Sequence, residues 1–266
     1  MSTNMDNETL EVLSKETYMT PQRYISGRVI EYDIKSCNIT ILRKYGVIDD
    51  DSFTFFSNLP KIERERSIGI MEIEHPEFVD IISNGTKEAR IRFGELNNIK
   101  LPEIVRIAKD AIYINRFTDL PYTQIDKYIL FRQKSISSVV LQITDTVTIY
   151  YYRDINTMNV DVKGISDQNM ALHQNYMLSF IATVINMIEN APLEDAVNFI
   201  REFYINYVNK KLDIGFYREF NSYSLYSVSN SGYYVSNIDN MDLIDIKYNM
   251  NIIRYLWQIV LSKMNK

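Results

Sequence analysis

The sequence predicts an α+β protein with a central antiparallel sheet and a helical C-terminal third. Short β-branched and aromatic runs cluster in residues 103–152 and are separated by turn residues, as in a meandering sheet. Apolar residues recur at helical spacing in residues 51–97 and again after residue 167. The chain has 266 residues, 46% hydrophobic and 24% charged, which is typical of a globular protein.

The N-terminal half alternates between one strand and several helices. Residues 1–22 are a polar lead. A strand over Val29–Ile34 precedes a short helix over Ser36–Tyr45, which Gly46 ends. The stretch 51–97 is predicted to be mostly helical, with breaks at Pro60 and Pro76. Gly85 weakens the last of these helices, because glycine disfavours a helix interior.

The sheet and the C-terminal helices follow. Five strands are predicted, over residues 104–108, 111–116, 127–132, 138–143 and 147–152, with a hairpin turn at 144–146. Helices are predicted over residues 169–189, after Pro192, and over 241–264, with a loop at 221–240. The predicted domains are the lead 1–22, an α+β domain 23–166 with a helical insertion at 51–97, and a helical region 167–266.

The charge and the cysteine content indicate which cellular compartment and which binding partners to expect. The net charge is −5, so contact with nucleic acid would need a local basic face or a basic partner. The single cysteine, Cys37, excludes an internal disulfide and a cysteine-based zinc site, and we interpret it as a small packed residue. No signal peptide is expected, and the apolar run 177–188 is too short to span a membrane. We therefore expect a cytoplasmic protein, in the host cytoplasm if viral, with no membrane partner.

Two aspartates lie at strand ends. Asp33 ends the run Arg28–Asp33, and Asp110 directly precedes the strand that begins at Ala111. Two carboxylates from neighbouring strands are the minimum that can hold two Mg²⁺ ions for phosphoryl or nucleotidyl transfer. An aspartate at a strand end also often caps a turn or helix, so both interpretations stay open.

The aspartates belong to an ordered set of segments. The set comprises Glu31-Tyr-Asp-Ile-Lys-Ser36, Ile82-Ser-Asn-Gly-Thr-Lys87, Ala108-Lys-Asp-Ala111, Arg132-Gln-Lys-Ser-Ile136 and Val160-Asp-Val-Lys-Gly-Ile165. This order, across about residues 27–190, resembles the palm and part of the thumb of family B DNA polymerases. The resemblance implies a palm-like antiparallel sheet with packed helices, a thumb-like C-terminal region, and a minimal, split or degenerate polymerase encoded by a phage or mobile element.

The resemblance also implies roles for individual residues. Asp33 and Asp110 would be catalytic and would bind Mg²⁺, the expected cofactor. The residues implied to bind the nucleotide are Ser36, Asn38, Lys87 and Arg64, with Lys61 and Arg66 as rivals for the phosphate-binding cations. Those implied to hold the primer–template backbone are Lys134, Lys163 and Gly164.

Four positions depart from the family pattern. Ala108 replaces the first aspartate of the usual pair, and Asn38 stands where an aromatic residue discriminates between sugars. Asp80 and Ile136 replace an expected lysine and tyrosine. The leading expectation is a two-Mg²⁺, primer-extending nucleotidyltransferase that works with primer–template and protein subunits in a larger assembly. The alternatives are a catalytically inactive palm-like subunit and a viral structural or interaction protein.

Two arginines of the helical insertion are predicted to be exposed to solvent. Arg90 and Arg92 are interpreted as the solvated face of the helix that ends the insertion. Neither is expected to contribute to a site.

Overall fold

The computed structural model describes residues 5–143, 147–153, 158–164, 174–209, 211, 219–220, 225–228, 234–235 and 251–264. The chain forms two compact units. The first comprises residues 1–21 and 27–136, and the second comprises 22–26 and 137–266. These limits differ from the predicted boundaries after residues 22 and 166, and that three-part division stays a prediction.

Seven strands form one sheet, which confirms the predicted antiparallel α+β class. The strands are β1 Thr17–Met19, β2 Tyr24–Ile34, β3 Ile104–Ala108, β4 Ala111–Asn115, β5 Phe131–Gln142, β6 Thr148–Arg153 and β7 Met158–Lys163. Their order is β1-β3-β4-β2-β5-β6-β7. The β1–β3, β3–β4, β2–β4, β5–β6 and β6–β7 pairs are antiparallel.

The predicted strand at 127–132 is wrong over most of its length. Asp126 accepts hydrogen bonds from the backbone N–H groups of Tyr128 and Ile129, both at 2.8 Å, and these bonds close a turn. Strand β5 therefore begins only at Phe131 and runs on without a break to Gln142. The turn predicted at 144–146 lies outside the described residues.

Eight helices are present in the described part of the chain. They are α1 Asn7–Ser14, α2 Cys37–Lys44, α3 Asp50–Asn58, α4 Lys61–Glu74, α5 Glu77–Asn97, α6 Gln174–Asn190, α7 Leu193–Val208 and α8 Asn251–Met264. Pro60 and Pro76 directly precede α4 and α5, which confirms the predicted breaks. Helix α1 lies in the polar lead, where Asp6 caps it by accepting a 2.7 Å bond from the Thr9 backbone.

In the first unit, α5 covers the sheet. Phe93 on α5 stacks on Phe131 of β5 with ring centroids 4.1 Å apart, and it meets Tyr32 of β2 at 5.5 Å. Gly85 lets α2 approach α5, because an added Cβ would lie 2.5 Å from Ile41 Cγ2. The glycine that weakened the helix prediction is therefore required by packing.

In the second unit, α6, α7 and α8 share a core with strands β5 and β6. That core contains Leu141, Ile149, Ile185, Ile200 and Ile259. The predicted loop at 221–240 is corrected in part, because residues 225–228 and 234–235 are strands β9 and β10, in a small sheet with β8 at 219–220. The predicted helical residues 169–173 and 241–250 lie outside the described residues.

The described helices include none that is long and apolar enough to cross a membrane.

Candidate functional site

A cavity of about 330 Å³ in the first unit brings together most of the predicted site residues. Four stretches of chain line it: the connection from β2 into α2, one side of α4, the β3–β4 turn and the start of β5. Six predicted residues lie on its wall, namely Asp33, Asp110, Ser36, Asn38, Arg64 and Lys134. Lys61, one of the rival cations, also lines it. The sequence therefore identified residues that share one cavity, although their roles stay predictions.

Asp33 is held at the end of β2 by a bidentate ion pair. Arg132 donates from Nε to Oδ1 at 2.6 Å and from Nη2 to Oδ2 at 3.2 Å. The Nζ atom of Lys134 lies 3.9 Å from Oδ2. The Asp33 carboxylate is buried, so these cations supply the stabilisation that water would otherwise give.

Asp110 occupies the two-residue turn between β3 and β4. The Cα of Asp33 pairs with that of Ala111, directly after Asp110, so Asp33 on β2 lies beside the turn that holds Asp110. Burial raises the pKa of the Asp110 carboxyl, and the negative charge of Asp33 adds to the rise. A bound cation would be favoured here, since it would offset both effects.

The turn that carries Asp110 is fixed by Arg90. Lys109 has the left-handed backbone conformation, with φ 55°, and its carbonyl accepts a hydrogen bond from Arg90 Nη1. The same guanidinium donates to the carbonyls of Leu13 at 3.0 Å and Lys15 at 2.6 Å. Arg90 thus ties the end of α1 to the Asp110 turn.

The prediction that Arg90 is solvated is wrong, because only 1% of the residue is exposed. Arg92 is exposed as predicted and pairs with Glu95 at 3.1 Å. The position of Arg90 in the helix could have indicated its burial. Arg90 follows the buried Ala89 and lies three residues before Phe93, on the apolar face of the helix.

Glu31 is a buried carboxylate that the sequence analysis did not include in the site. Its two oxygens accept bonds from Lys134 Nζ at 2.9 Å and from Ser135 Oγ at 2.7 Å. The hydrogen bond to Glu31 raises the pKa of Lys134. Glu31 lies two residues before Asp33, and this spacing along a strand places both carboxylates on one face.

The start of α2 forms another part of the wall. Ser36 has the left-handed conformation, with φ 51° and ψ 49°, directly before the helix. Cys37 Sγ lies 3.3 Å from Thr86 Oγ1, and burial raises the pKa of its thiol to about 12, which agrees with a packed residue. A second cavity, of about 350 Å³, shares Cys37, Asn38 and Asp110 with the first.

Three predicted site residues lie elsewhere. Lys87 is half-buried on α5 and is absent from the described lining of both cavities. Lys163 ends β7 in the second unit and pairs with Asp161 at 2.8 Å. Gly164 follows it with φ 89°, a conformation that favours glycine in a turn. Their predicted contacts with nucleotide and nucleic acid stay predictions.

The wall of the first cavity combines carboxylates with cationic side chains. The described residues contain no group of three or more His, Cys, Asp or Glu side chains arranged to hold a metal. Mg²⁺ in nucleotide sites commonly uses one or two carboxylates and completes its shell with phosphate oxygens and water. Asp33 and Asp110 are two carboxylates on one cavity wall, which Lys61, Arg64, Arg132 and Lys134 also line, and binding of metal and phosphate there stays a prediction.

Comparison with known protein families gives one assignment. The family model described as "Bacteriophage PBS1 gene 130 protein" matches residues 8–262. Because the match spans nearly the whole chain, the protein belongs to this phage protein family, in agreement with the predicted phage origin. No curated protein matches the sequence.

Proposed function

We propose that this phage-family protein binds a nucleoside triphosphate with Mg²⁺ and transfers its nucleotidyl group to a primer, as a palm-like subunit of a larger assembly. One observation carries the proposal: Asp33, on β2, and Asp110, in the turn before the neighbouring strand β4, line one cavity together with four cationic side chains. Paired carboxylates and nearby cations are what metal-assisted phosphoryl transfer requires of a protein.

The proposed roles follow from the geometry. Asp33 and Asp110 hold the metal, which when bound polarises the phosphate under attack and neutralises developing charge. Lys61 and Arg64, on α4, face the same cavity and bind phosphate oxygens. The α2 residue Asn38 lines both cavities and contacts the sugar end of the nucleotide.

The resemblance to family B palms adds support through the order of its segments. The contacts that the resemblance implies for Lys163, Gly164 and the C-terminal helices with primer–template, and for Lys87 with the nucleotide, are not needed by this proposal and stay predictions. The net charge of −5 favours a protein partner that supplies part of the attraction for nucleic acid. The host cytoplasm is the proposed location.

A primer-extension assay with purified protein tests the proposal. A labelled primer–template is incubated with Mg²⁺ and either dNTPs or NTPs, alone and with phage-infected cell extract. Asp110→Asn should lower the extension rate by roughly 100-fold or more, because it removes one carboxylate from the metal site. Asp51→Asn, at an exposed position on α3, is the matched control and should extend normally. A wild-type protein that neither extends a primer nor binds Mg²⁺ with a nucleotide would rule the proposal out.

A second function is a catalytically inactive palm-like subunit that binds phosphate without metal. The Arg132–Asp33 ion pair favours it, because both carboxylate oxygens already accept hydrogen bonds. Ala108, at the position of a family carboxylate, favours it as well. It predicts nucleotide binding that EDTA does not weaken, and an assembled complex whose activity survives Asp33→Ala.

A further inference from the structure

The Arg132–Asp33 ion pair is asymmetric. The Arg132 side chain is 54% exposed, whereas that of Asp33 is 9% exposed. Both residues lie on strands, Asp33 near the end of β2 and Arg132 near the start of β5, and both line the cavity. The exposed guanidinium can turn to another ligand, but the buried carboxylate then needs a second cation in its place.

The other cation beside Asp33 has a carboxylate partner of its own. Lys134 Nζ is bonded to the buried carboxylate of Glu31 at 2.9 Å and lies 3.9 Å from Asp33 Oδ2. Moving this ammonium would leave Glu31 with Ser135 as its remaining described partner. Arg132 is thus the cation that hydrogen-bonds directly to Asp33, and it is the one that a metal ion there would displace.

A metal ion at Asp33 competes with Arg132 for the same two oxygens. We propose that Arg132 exchanges partners: it occupies Asp33 in the free protein and moves to a phosphate oxygen when Mg²⁺ arrives with a polyphosphate. This inference rests on the proposed function and deepens it. Arg132 then acts as a positioning residue that makes the binding of metal and polyphosphate mutually dependent.

The exchange predicts effects of opposite sign for one substitution. In Arg132→Gln, Mg²⁺ alone should bind about five- to tenfold more tightly, because its competitor is gone. In the presence of Mg²⁺, inorganic tripolyphosphate should bind about tenfold more weakly or worse, because the donor released from Asp33 is lost, whereas tripolyphosphate without Mg²⁺ should change much less. Isothermal titration calorimetry with each probe, singly and together, measures both effects and the coupling between them.

Two further variants distinguish the partner exchange of Arg132 from the general effect of removing a positive charge from the cavity. Arg64→Gln removes a positive charge from the same cavity and should weaken tripolyphosphate binding while changing Mg²⁺ affinity less than about twofold. Arg132→Lys keeps the charge but loses the two-pronged donor, so its Mg²⁺ affinity should lie between those of wild type and Arg132→Gln. Its retained charge also keeps the test valid if Arg132→Gln unfolds, which circular dichroism would show.

The outcomes distinguish this inference from the proposed function. If wild type binds Mg²⁺ with tripolyphosphate but Arg132→Gln does not gain Mg²⁺ affinity, the exchange is wrong and the metal site stands. A gain of the same size in Arg64→Gln would also overturn it. If neither wild type nor the Arg132 variants bind either probe, the metal–nucleotide site itself is wrong.

Discussion

At the residue scale, one buried guanidinium determines where an aspartate lies. Arg90 donates to carbonyls of Leu13, Lys15 and Lys109, and the last of these adjoins Asp110. Three carbonyls from two separate segments accept hydrogen bonds from this one buried side chain, so its loss removes all three bonds. Arg90 therefore stabilises the fold through these hydrogen bonds, and the same bonds position the turn that carries Asp110.

Replacing Arg90 with methionine should lower the free energy of unfolding by about 3 kcal/mol, because buried carbonyls lose their donors. Arg92→Met is the matched control two residues away, and its exposed pair with Glu95 should be worth less than about 0.5 kcal/mol. Urea denaturation followed by circular dichroism measures both. Equal losses in the two variants would contradict the structural role of Arg90.

Cys37 should make stability depend on alkaline pH. Burial raises the pKa of its thiol to about 12, whereas an unfolded thiol titrates near ~8.5. Its contribution to stability is complete below ~8.5 and is lost as the pH rises towards 12, because the unfolded thiol ionises first. Between pH 8 and 10 the free energy of unfolding should fall by about 1–2 kcal/mol more in wild type than in Cys37→Ala. Identical pH slopes in urea titrations would show that the thiol ionises equally in both states.

The sequence pattern indicated the two aspartates as candidate site residues, but it did not indicate which side chains contact them. Asp33 and Asp110 were found because each adjoins a run with clear strand composition. Arg132 lies 99 residues after Asp33, and no local pattern indicates that the two side chains meet. Arg90 was mispredicted because an arginine in a helix is usually solvated, and only the tertiary structure supplies three carbonyls for it.

At the element scale, close packing overrides local propensity. The helical period predicted α5 despite Gly85, and the structure explains the glycine by the approach of Ile41 on α2. The prediction of a strand at 127–132 was wrong because it relied on composition alone. These residues have strand-like composition, but hydrogen bonds to Asp126 close a turn there. Periodicity over a long helix was therefore a better guide than composition over six residues.

Two glycine-to-alanine substitutions should have opposite signs. In Gly85→Ala the new Cβ meets Ile41 at 2.5 Å and Tyr45 at 2.8 Å, so we expect a loss of about 1–3 kcal/mol. Gly69, on α4, has no atom within 4 Å of an added Cβ, so Gly69→Ala should gain about 0.5–1 kcal/mol from helix propensity. Thermal and urea denaturation provide the measurement. Stabilisation by both substitutions would mean that α2 and α5 do not pack closely.

At the scale of the whole molecule, a protein of net charge −5 has a cavity of about 330 Å³ with charges of both signs. Lys61, Arg64, Arg132 and Lys134 line it together with Asp33, Glu65 and Asp110. The net charge of the chain does not predict this local composition, because charges are screened beyond ~8 Å at physiological salt. Within the proposed function, a cavity of this size would bind a small polyanion rather than an extended one.

The purified protein alone should therefore bind duplex DNA weakly. At roughly 150 mM salt we expect no saturation of a labelled duplex by about 10 µM protein, because the net charge opposes the polyanion. Tripolyphosphate binding should persist under the same conditions, which serves as the positive control. Fluorescence anisotropy over a salt series measures the first and calorimetry the second. Tight duplex binding at that salt concentration would reveal a basic face that acts without a partner.

The position of β2 in the sheet has a consequence for synthesis. Its neighbours, β4 and β5, both follow it in the chain, and Arg132 is translated 99 residues after Asp33. At translation rates of about 5–20 residues per second, β2 waits roughly 5–20 s for both edges to be covered. It ends in six consecutive buried residues, Val29–Ile34, so during that interval a ribosome-bound chain exposes an unpaired, adhesive strand. An unpaired strand of this kind is a site where another chain can pair, so the risk of aggregation is greatest during synthesis.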